Sequence, residues 1–336
     1  MNGSPNTDAA RDTLLRLFAG KWVVAALTAA VDLGVPDALR ESPRSIGELA
    51  TAAGAEPQAL GRLLRVLATQ HIVSVEGDQV TLLPLGRELC SDRLGPLAAF
   101  VGAPHAWDPW ARLADAIRTD RTAFELTHGV GLFPFLADRA VEGAAYDAAI
   151  DAFTRAEAQA LAAAIDLGDA RQVVDVGGGL GSVLIELVGR HPKVTGVLYD
   201  LPPVAERAAA RFEALGLADR CSAQGGDFLA GVPAGADVYV VKHVLHNWDD
   251  DDAARILGAC AAGMTPGGRV LVVEGLLIPG GRADGTRLLD LEMLVQCGHG
   301  RERSKPEFRA LIGRAGLRLQ RTVDLGASRI LECVAR

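Results

Sequence analysis

From about residue 171, five short runs that read as strands (172–176, 195–199, 221–224, 237–241 and 268–273) alternate with segments of helical character. The helices between them begin near Gly181, Pro203, Asp251 and Lys305. Strands separated by helices run parallel, so the alternation predicts an α/β fold with a doubly wound sheet, helices covering both faces. The last two runs, 318–324 and 329–335, are separated only by the glycine-containing turn 325–327. Strands joined that tightly are antiparallel. The sheet is therefore expected to end in an antiparallel C-terminal strand, which an ordinary dinucleotide-binding fold does not need.

The N-terminal third reads differently. Leu14, Leu17, Phe18, Val24, Leu27 and Val31 show helical periodicity within residues 13–40. Ser45-Ile-Gly-Glu48 is a capping box that opens a short helix through Ala53. Gly54-Ala-Glu-Pro57 makes the turn, with Pro57 where a first helical turn tolerates it. A second helix runs to about Thr69 with Leu60, Leu63, Leu64 and Leu67 on one face. Segments 72–75 and 79–82, separated by Glu76-Gly-Asp78, then read as a hairpin wing. A winged helix invites a DNA-binding reading, but residues 1–100 carry 9 Lys/Arg against 11 Asp/Glu, a net of −2. The second helix offers only Arg62 and Arg65 to a groove. With a net charge of −8 on the whole chain, no nucleic-acid partner is expected, since phosphate binding needs a basic face. Packing or dimerisation is the better role for this segment.

Residues 105–165 read as several helices holding much of the aromatic content: Trp107, Trp110, Phe124, Phe133, Phe135, Tyr146 and Phe153. Most are expected in a core, with one or two lining a pocket for a flat substrate. The organisation inferred is a winged-helix domain over 1–100, a helical connector over 101–165 and an α/β domain over 166–336. Residues 1–12 are polar without a signal-peptide pattern. The apolar run 22–31 is about half of what a membrane span requires, so no membrane partner is expected. Cys90, Cys221, Cys260, Cys297 and Cys333 lie far apart. That pattern fits buried thiols in a reducing compartment, and the cytoplasm is the expected location.

The segment Val173-Val-Asp-Val-Gly-Gly-Gly-Leu-Gly-Ser182 follows a strand and opens a helix, so its backbone can approach a ligand closely. A glycine loop alone is weak evidence for any cofactor. Glycines at 177, 179 and 181 give G-x-G-x-G, and a dinucleotide fingerprint starting at Gly177 would need glycine or alanine where Ser182 stands. Asp175 ends the strand, where a carboxylate would repel a pyrophosphate but suits the cationic amino and sulfonium groups of S-adenosylmethionine (SAM). Asp200 lies 23 residues after Gly177 at the next strand end and can accept ribose hydroxyls, a feature shared with NAD proteins. After the third strand, Asp227 can accept from an adenine amine while Phe228 covers the ring. Taken alone, Asp227 is equally a turn or capping residue.

Lys242-His-Val-Leu-His-Asn-Trp-Asp249 follows the fourth strand on the same rim. A lone histidine is more often structural than catalytic; two with a lysine at a strand's carboxyl end point to function. Of the pair, His246 is the expected base and His243 a supporting or acceptor-side candidate. The acidic run 249–252 reads as a helix N-terminus favoured by the dipole, and no metal is expected. Glu274, 28 residues after His246, ends an apolar strand, where a carboxylate is costly without a partner. Glu302 follows Gly298-His-Gly-Arg301. Either can orient an imidazole and stabilise its protonated form.

The segments VDVGGGLG, YDLP, GGDF, VVKHVLHNWDDD, VVEGLLIP and DLEMLV…GRERS…F together resemble the plant and bacterial small-molecule O-methyltransferases, of the caffeate and anthracycline-polyketide kind, from about Ala25 to the C-terminus. The resemblance implies a SAM-methyltransferase sheet and a homodimer formed through the winged-helix segment. It implies SAM held by Gly177, Asp200, Asp227, Phe228 and Lys242, to which Asp175, Gly179 and Leu201 are added as candidates, with S-adenosylhomocysteine (SAH) as product. It implies His246 as proton acceptor flanked by Glu274 and Glu302, and a hydroxyl acceptor, phenolic on a small aromatic or polyketide-type metabolite. Trp110, His243, Asp290, Met293 and Gln296 are the candidates for holding that acceptor. Gln296-Cys-Gly-His-Gly300 departs from the Asn-Pro-Gly-Gly stretch of plant members, so plant acceptors do not transfer. Three alternatives stay open: a relative that keeps SAM but catalyses hydroxylation, decarboxylation or a pericyclic step; a DNA-binding regulator; and, disfavoured by Ser182 and Asp175, an NAD-dependent oxidoreductase.

Overall fold

A computed structural model describes residues 7–280 and 285–336; the first six residues of the polar stretch 1–12 lie outside the described residues. The chain forms two compact units, Met1–Trp107 and Asp108–Arg336.

The first unit is the winged helix that the caps and leucine spacing predict. Ser45 Oγ accepts the Glu48 N–H at 3.2 Å and Glu48 Oε2 accepts the Ser45 N–H at 2.8 Å, closing the capping box of helix Ile46–Ala53. Gly54, left-handed at φ 60°, ends that helix. Helix Pro57–Thr69 buries Leu60, Leu64 and Leu67 against Leu49, Val80 and Leu82, with Leu63 half-buried beside them. The wing pairs Val73–Glu76 with Gln79–Leu82, and a short strand, Arg44–Ser45, adds to its outer edge. That third strand is too short to leave a periodicity in the sequence. Helix Thr7–Asp32 leaves Leu14, Leu15, Leu17, Phe18 and Trp22 exposed. Over Ala9–Asp32 it is long and apolar enough to cross a membrane by length and composition, so the helix is longer than the apolar run 22–31 suggests.

The second unit holds a seven-stranded sheet. Its strands are β1 (Gln172–Val176), β2 (Thr195–Asp200), β3 (Cys221–Gly225), β4 (Ala236–Lys242), β5 (Met264–Gly275), β6 (Leu317–Asp324) and β7 (Ser328–Ala335). Their order is β3-β2-β1-β4-β5-β7-β6. The first five are mutually parallel, and β7 inserts antiparallel between β5 and β6. After the short helices Leu113–Thr119, Ala123–His128 and Leu132–Ala137 of the connector come α1 (Ala140–Ala164), α2 (Ser182–Arg190), α3 (Pro202–Ala214), α4 (Asp250–Gly263), α5 (Gly285–Gln296) and α6 (Lys305–Arg314).

Alternation along the central strands divides the core in two. Val173, Val238, Val240, Leu271 and Val273 pack with Leu161 of α1, Leu184 and Leu187 of α2, and Phe212 of α3. Val174, Val176, Tyr239, Val241, Val270 and Val272 face Ile256 and Leu257 of α4 and Phe308 and Leu311 of α6. A sheet buried on both faces needs apolar residues at consecutive positions, which is how these strands read. Each such side chain contributes about 1.5–3 kcal/mol when fully buried. The carboxyl ends of β1 to β5 share one rim, and every catalytic candidate taken from a strand end stands there. α5 was not anticipated, although it carries Asp290, Met293 and Gln296.

Candidate functional site

After β1 the backbone passes through Gly177, Gly179 and Gly181 at φ 68°, 58° and 80°, a region that side chains with a Cβ rarely enter. A Cβ on Gly177 would meet Val244 Cγ2 at 2.6 Å, whereas one on Gly179 would find no atom within 4 Å and would project from the lining of a cavity. That cavity measures about 370 Å³ and lies entirely within the second unit. Asp200, at the end of β2, accepts the Gly179 N–H at 2.8 Å and the Leu201 N–H at 2.7 Å, so one carboxylate ties two strand-end loops together. Burial pushes its pKa up to about 6 in spite of those two bonds. Asp175 is 1% exposed, and its Oδ2 has no hydrogen-bond partner among the described residues. Burial raises it to about 7, with Lys242 pulling the other way.

Five aspartates line the cavity (147, 151, 175, 200 and 227), against Lys242 and Arg207 as the only Lys or Arg among the described residues that line it. Asp147 is already paired with Arg207, and Asp151 with Arg211 at 2.7 Å. Ser182, the residue that breaks the dinucleotide pattern, donates its hydroxyl to Asp151. What remains is an acidic cradle with an orphaned, buried carboxylate oxygen. A cationic ligand fits it, and a pyrophosphate does not. Asp227 Oδ1 accepts the Leu229 N–H at 2.8 Å, so this residue makes its own turn as well as lining the cavity. Phe228 stands edge-on to Trp248 with centroids 5.7 Å apart, and Trp248 is nearly parallel to Phe133 at 6.4 Å.

The segment following β4 carries the second constellation. His243 is one of three non-glycine residues with positive φ among the described residues, at 52°, and its N–H donates to Val273 O at 3.0 Å. A 3-10 turn, Leu245–Asn247, then buries His246. Glu274 Oε1 accepts the Leu245 N–H at 2.9 Å. Glu302 Oε1 lies 2.7 Å from His246 Nδ1, and its own N–H donates to Asp290 Oδ1 at 2.8 Å. With the shared proton on Nδ1, His246 Nε2 keeps a free lone pair, which is the tautomer a base requires. Burial raises the Glu302 pKa, and its bond to His246 offsets only part of that. Glu274 is also fully buried, yet imidazolium charge beside it and the bond from the Leu245 N–H outweigh burial and hold its pKa below the usual range. Arg303, with no exposed surface, donates to Leu245 O and Trp248 O at 2.7 Å each and to Asp250 at 2.8 Å, clamping the turn from below.

Donor atoms of His243, His246 and Glu274 fall within 4.8 Å of one another, as do those of Asp37, Cys90 and Asp92 in the first unit. His246 Nδ1 is committed to Glu302, and the two aspartates to Arg40. No metal is assigned to either group. Asp249 caps α4 by accepting the N–H groups of Asp251 and Asp252 at 2.9 and 2.8 Å, as the acidic run predicts.

Comparison with known proteins decides what family this rim belongs to. Residues 110–318 match the model of an O-methyltransferase domain, and residues 15–91 match that of an O-methyltransferase dimerisation domain. The chain belongs to the O-methyltransferase family. It is 39% identical, over 98% of its length and 96% of the relative's, to the mitomycin biosynthesis 6-O-methyltransferase of Streptomyces lavendulae. It is 36% identical over 93% of its length, and 86% of the relative's, to the aclacinomycin 10-hydroxylase RdmB of Streptomyces purpurascens. A methyltransferase of calicheamicin biosynthesis, solved in its SAH-bound form, superposes with a TM-score of 0.85 at 34% identity, covering 99% of this chain and all of that one. The family uses SAM, and the antiparallel end expected for its sheet is present as β7 and β6.

Among the candidates for SAM, the structure brings Asp175, Gly177, Gly179, Asp200, Leu201, Asp227, Phe228 and Lys242 to the one cavity, with His243 among them. His246, Glu274 and Glu302 form a buried cluster and are not themselves among its lining residues, whereas Asn247, next to His246 in the chain, lines it. Asp290 reaches this cluster through the Glu302 N–H. Met293 is buried with Phe124, Phe135 and Leu136, and Gln296 is buried on the same helix α5. Trp110 lies in the 3-10 segment Asp108–Arg112, 38% exposed and outside the cavity lining. The expectation that it lines the pocket finds no support; its large ring marked it only by type.

Glu157 was not anticipated. It projects from α1 to place Oε2 2.7 Å from His243 Nε2 and 3.3 Å from Lys242 Nζ. One glutamate in the alanine-rich run 156–164 carries no sequence signal. Arg303 and Trp248 had one, since each is adjacent to a residue already singled out.

Proposed function

We propose that this O-methyltransferase methylates a hydroxyl, phenolic, on a small aromatic or polyketide-type secondary metabolite, with His246 as general base. When bound, SAM supplies the methyl group as an electrophile. The observation that carries the reading is the 2.7 Å His246–Glu302 pair standing beside a cavity that holds an orphaned buried aspartate. Asp175 and Asp200 would receive the cationic and ribose parts of SAM, with Asp227, Phe228 and Lys242 completing the hold and Leu201 and the glycines giving backbone access. A phenol of pKa about 10 is protonated at neutral pH. His246 Nε2 would take that proton as the oxygen gains the methyl group and the methyl–sulfur bond breaks to leave SAH, with Glu302 balancing the imidazolium. General-base help of this kind is worth about 10²–10⁴ in rate. Alignment of oxygen and methyl contributes up to about 7–11 kcal/mol.

The acceptor would lie towards Phe133, Trp248 and Tyr146, with His243 on the same lining and Met293, Gln296 and Asp290 beyond them, so that part of the connector 101–165 forms its wall. The family's dimerisation domain, with the exposed apolar face of helix Thr7–Asp32, supports a homodimer through residues 1–100. Five free, buried cysteines support a reducing, cytoplasmic location. One observation favours a second reading: a 36% identical relative is named a hydroxylase. Quantifying SAH against product on a panel of hydroxylated aromatics separates the two. One SAH per product supports methyl transfer; product without SAH refutes it.

A further inference from the structure

His243 and His246 share one carboxylate almost symmetrically. Glu274 Oε2 lies 3.6 Å from His243 Nδ1 and 3.7 Å from His246 Nδ1, and the two rings stand 5.5 Å apart. Two imidazolium ions that close repel each other, so one proton is the stable complement between them. Each ring also has a carboxylate of its own at 2.7 Å, Glu157 for His243 and Glu302 for His246. The symmetry breaks at those outer carboxylates. Glu157 is partly exposed and has Lys242 at 3.3 Å, whereas the Glu302 side chain has no exposed surface and its Oε2 no partner among the described residues. Glu157, with Lys242 beside it and part of its surface exposed, is therefore the carboxylate of the two that stays ionised whichever ring holds the proton.

We propose that Glu157 is a positioning residue that fixes the shared proton on His243, so that His246 rests neutral and free to accept a proton from the substrate. His243 then acts as a standing cation that neutralises Glu274, which in turn holds the 245–247 turn through the Leu245 N–H. This inference rests on the reading of His246 as the base. The charged and titratable groups around the two rings are Lys242 beside them on β4, Glu274 on β5, Glu302, Arg303 and Asp290 from the loop and α5, and Glu157 from α1. Among the described residues, none of these but Glu157 is bonded to His243 alone of the two rings. The left-handed backbone of His243, sustained by its bond to Val273 O, keeps that ring pointed at Glu157 rather than leaving it free to exchange roles with His246. The direction of the pKa shifts agrees: burial lowers His243, but Glu157 and Glu274 outweigh it and bring it to about 9. Burial likewise raises Glu157, and His243 with Lys242 outweighs that and holds it near 2.

The test is a ring-carbon NMR titration of full-length, SAH-loaded enzyme labelled at histidine, with the two signals assigned by their loss in His243→Gln and His246→Gln. In the wild type, His243 should stay protonated at pH 7.5 while His246 is neutral. In Glu157→Gln, His243 should lose its proton at lower pH, and the His246 midpoint should rise by about one pH unit or more. His243→Gln, which leaves Glu274 with His246 alone, should raise that midpoint as well and carries the test if Glu157→Gln does not fold. Glu157→Asp should restore the wild-type order. A neutral His243 at pH 7.5 in the wild type, or a His246 midpoint that does not move in either variant, overturns the proposal. Because the titration needs no turnover, it stands apart from the SAH-stoichiometry test of the reaction itself.

Discussion

Asp175→Asn perturbs the cofactor cradle by one charge and almost no volume. The carboxylate is 1% exposed, has an oxygen with no partner among the described residues, and is raised by burial to about 7. A cation brought beside it favours the ionised form, so its pKa falls on binding and the complex holds fewer protons than the free enzyme. SAM affinity should therefore rise with pH up to about 7, and level off above, where Asp175 is ionised with or without ligand. Below that point each pH unit costs up to about tenfold, or 1.4 kcal/mol. Asp200, at about 6, steepens the fall from there downwards. A charge-assisted hydrogen bond is worth about 1.5–3 kcal/mol, so Asp175→Asn should weaken SAM by about 10- to 150-fold at pH 7.5. Isothermal titration calorimetry between pH 5.5 and 7.5, in buffers of differing ionisation enthalpy, measures both affinity and protons released. A variant that binds SAM within about twofold of the wild type at pH 7.5 and releases the same protons refutes the role given to Asp175.

His246→Gln should lower kcat by about 10²–10⁴ while leaving SAM affinity unchanged in calorimetry, because the ring is not among the residues lining the cavity that holds the SAM candidates; a wild-type rate removes the base assignment. Arg303→Leu strips three acceptors of a fully buried cation and should destabilise the fold by about 3–5 kcal/mol in denaturant melts, with loss of activity. An unchanged midpoint means that the clamp holds nothing. Leu64→Ala, at a position with no exposed surface, should cost about 2–5 kcal/mol in the first unit's unfolding. Residues 1–100 should give no salt-dependent gel shift with duplex DNA at low ionic strength, since their net charge is −2; a shift revives the regulator reading.

The parts of this molecule that were legible in its sequence are those set by local rules. The Ser45–Glu48 capping box, the alternation along β1 and β4, and the tight turn before β7 each depend on residues within a few positions of one another. The glycine loop was legible too, because Gly177 and Gly179 occupy backbone conformations that few other residues reach. Asp175 was read from its place at a strand end, and the structure adds the physical reason it matters: an oxygen buried without a partner. What stayed hidden depends on contacts between segments far apart in the chain. Glu157 and His243 are separated by 86 positions, and only the packing of α1 on the strand rim makes them neighbours. Trp110 shows another limit of sequence, since a large aromatic residue in a helical connector says nothing about which way its ring faces, and here it lies outside the cavity lining. The distinction bears on the site itself. Paired groups such as His246 with Glu302 can be guessed when both lie in motifs. The symmetry between His243 and His246, and the residue that breaks it, exist only once three dimensions set 3.6 Å beside 3.7 Å.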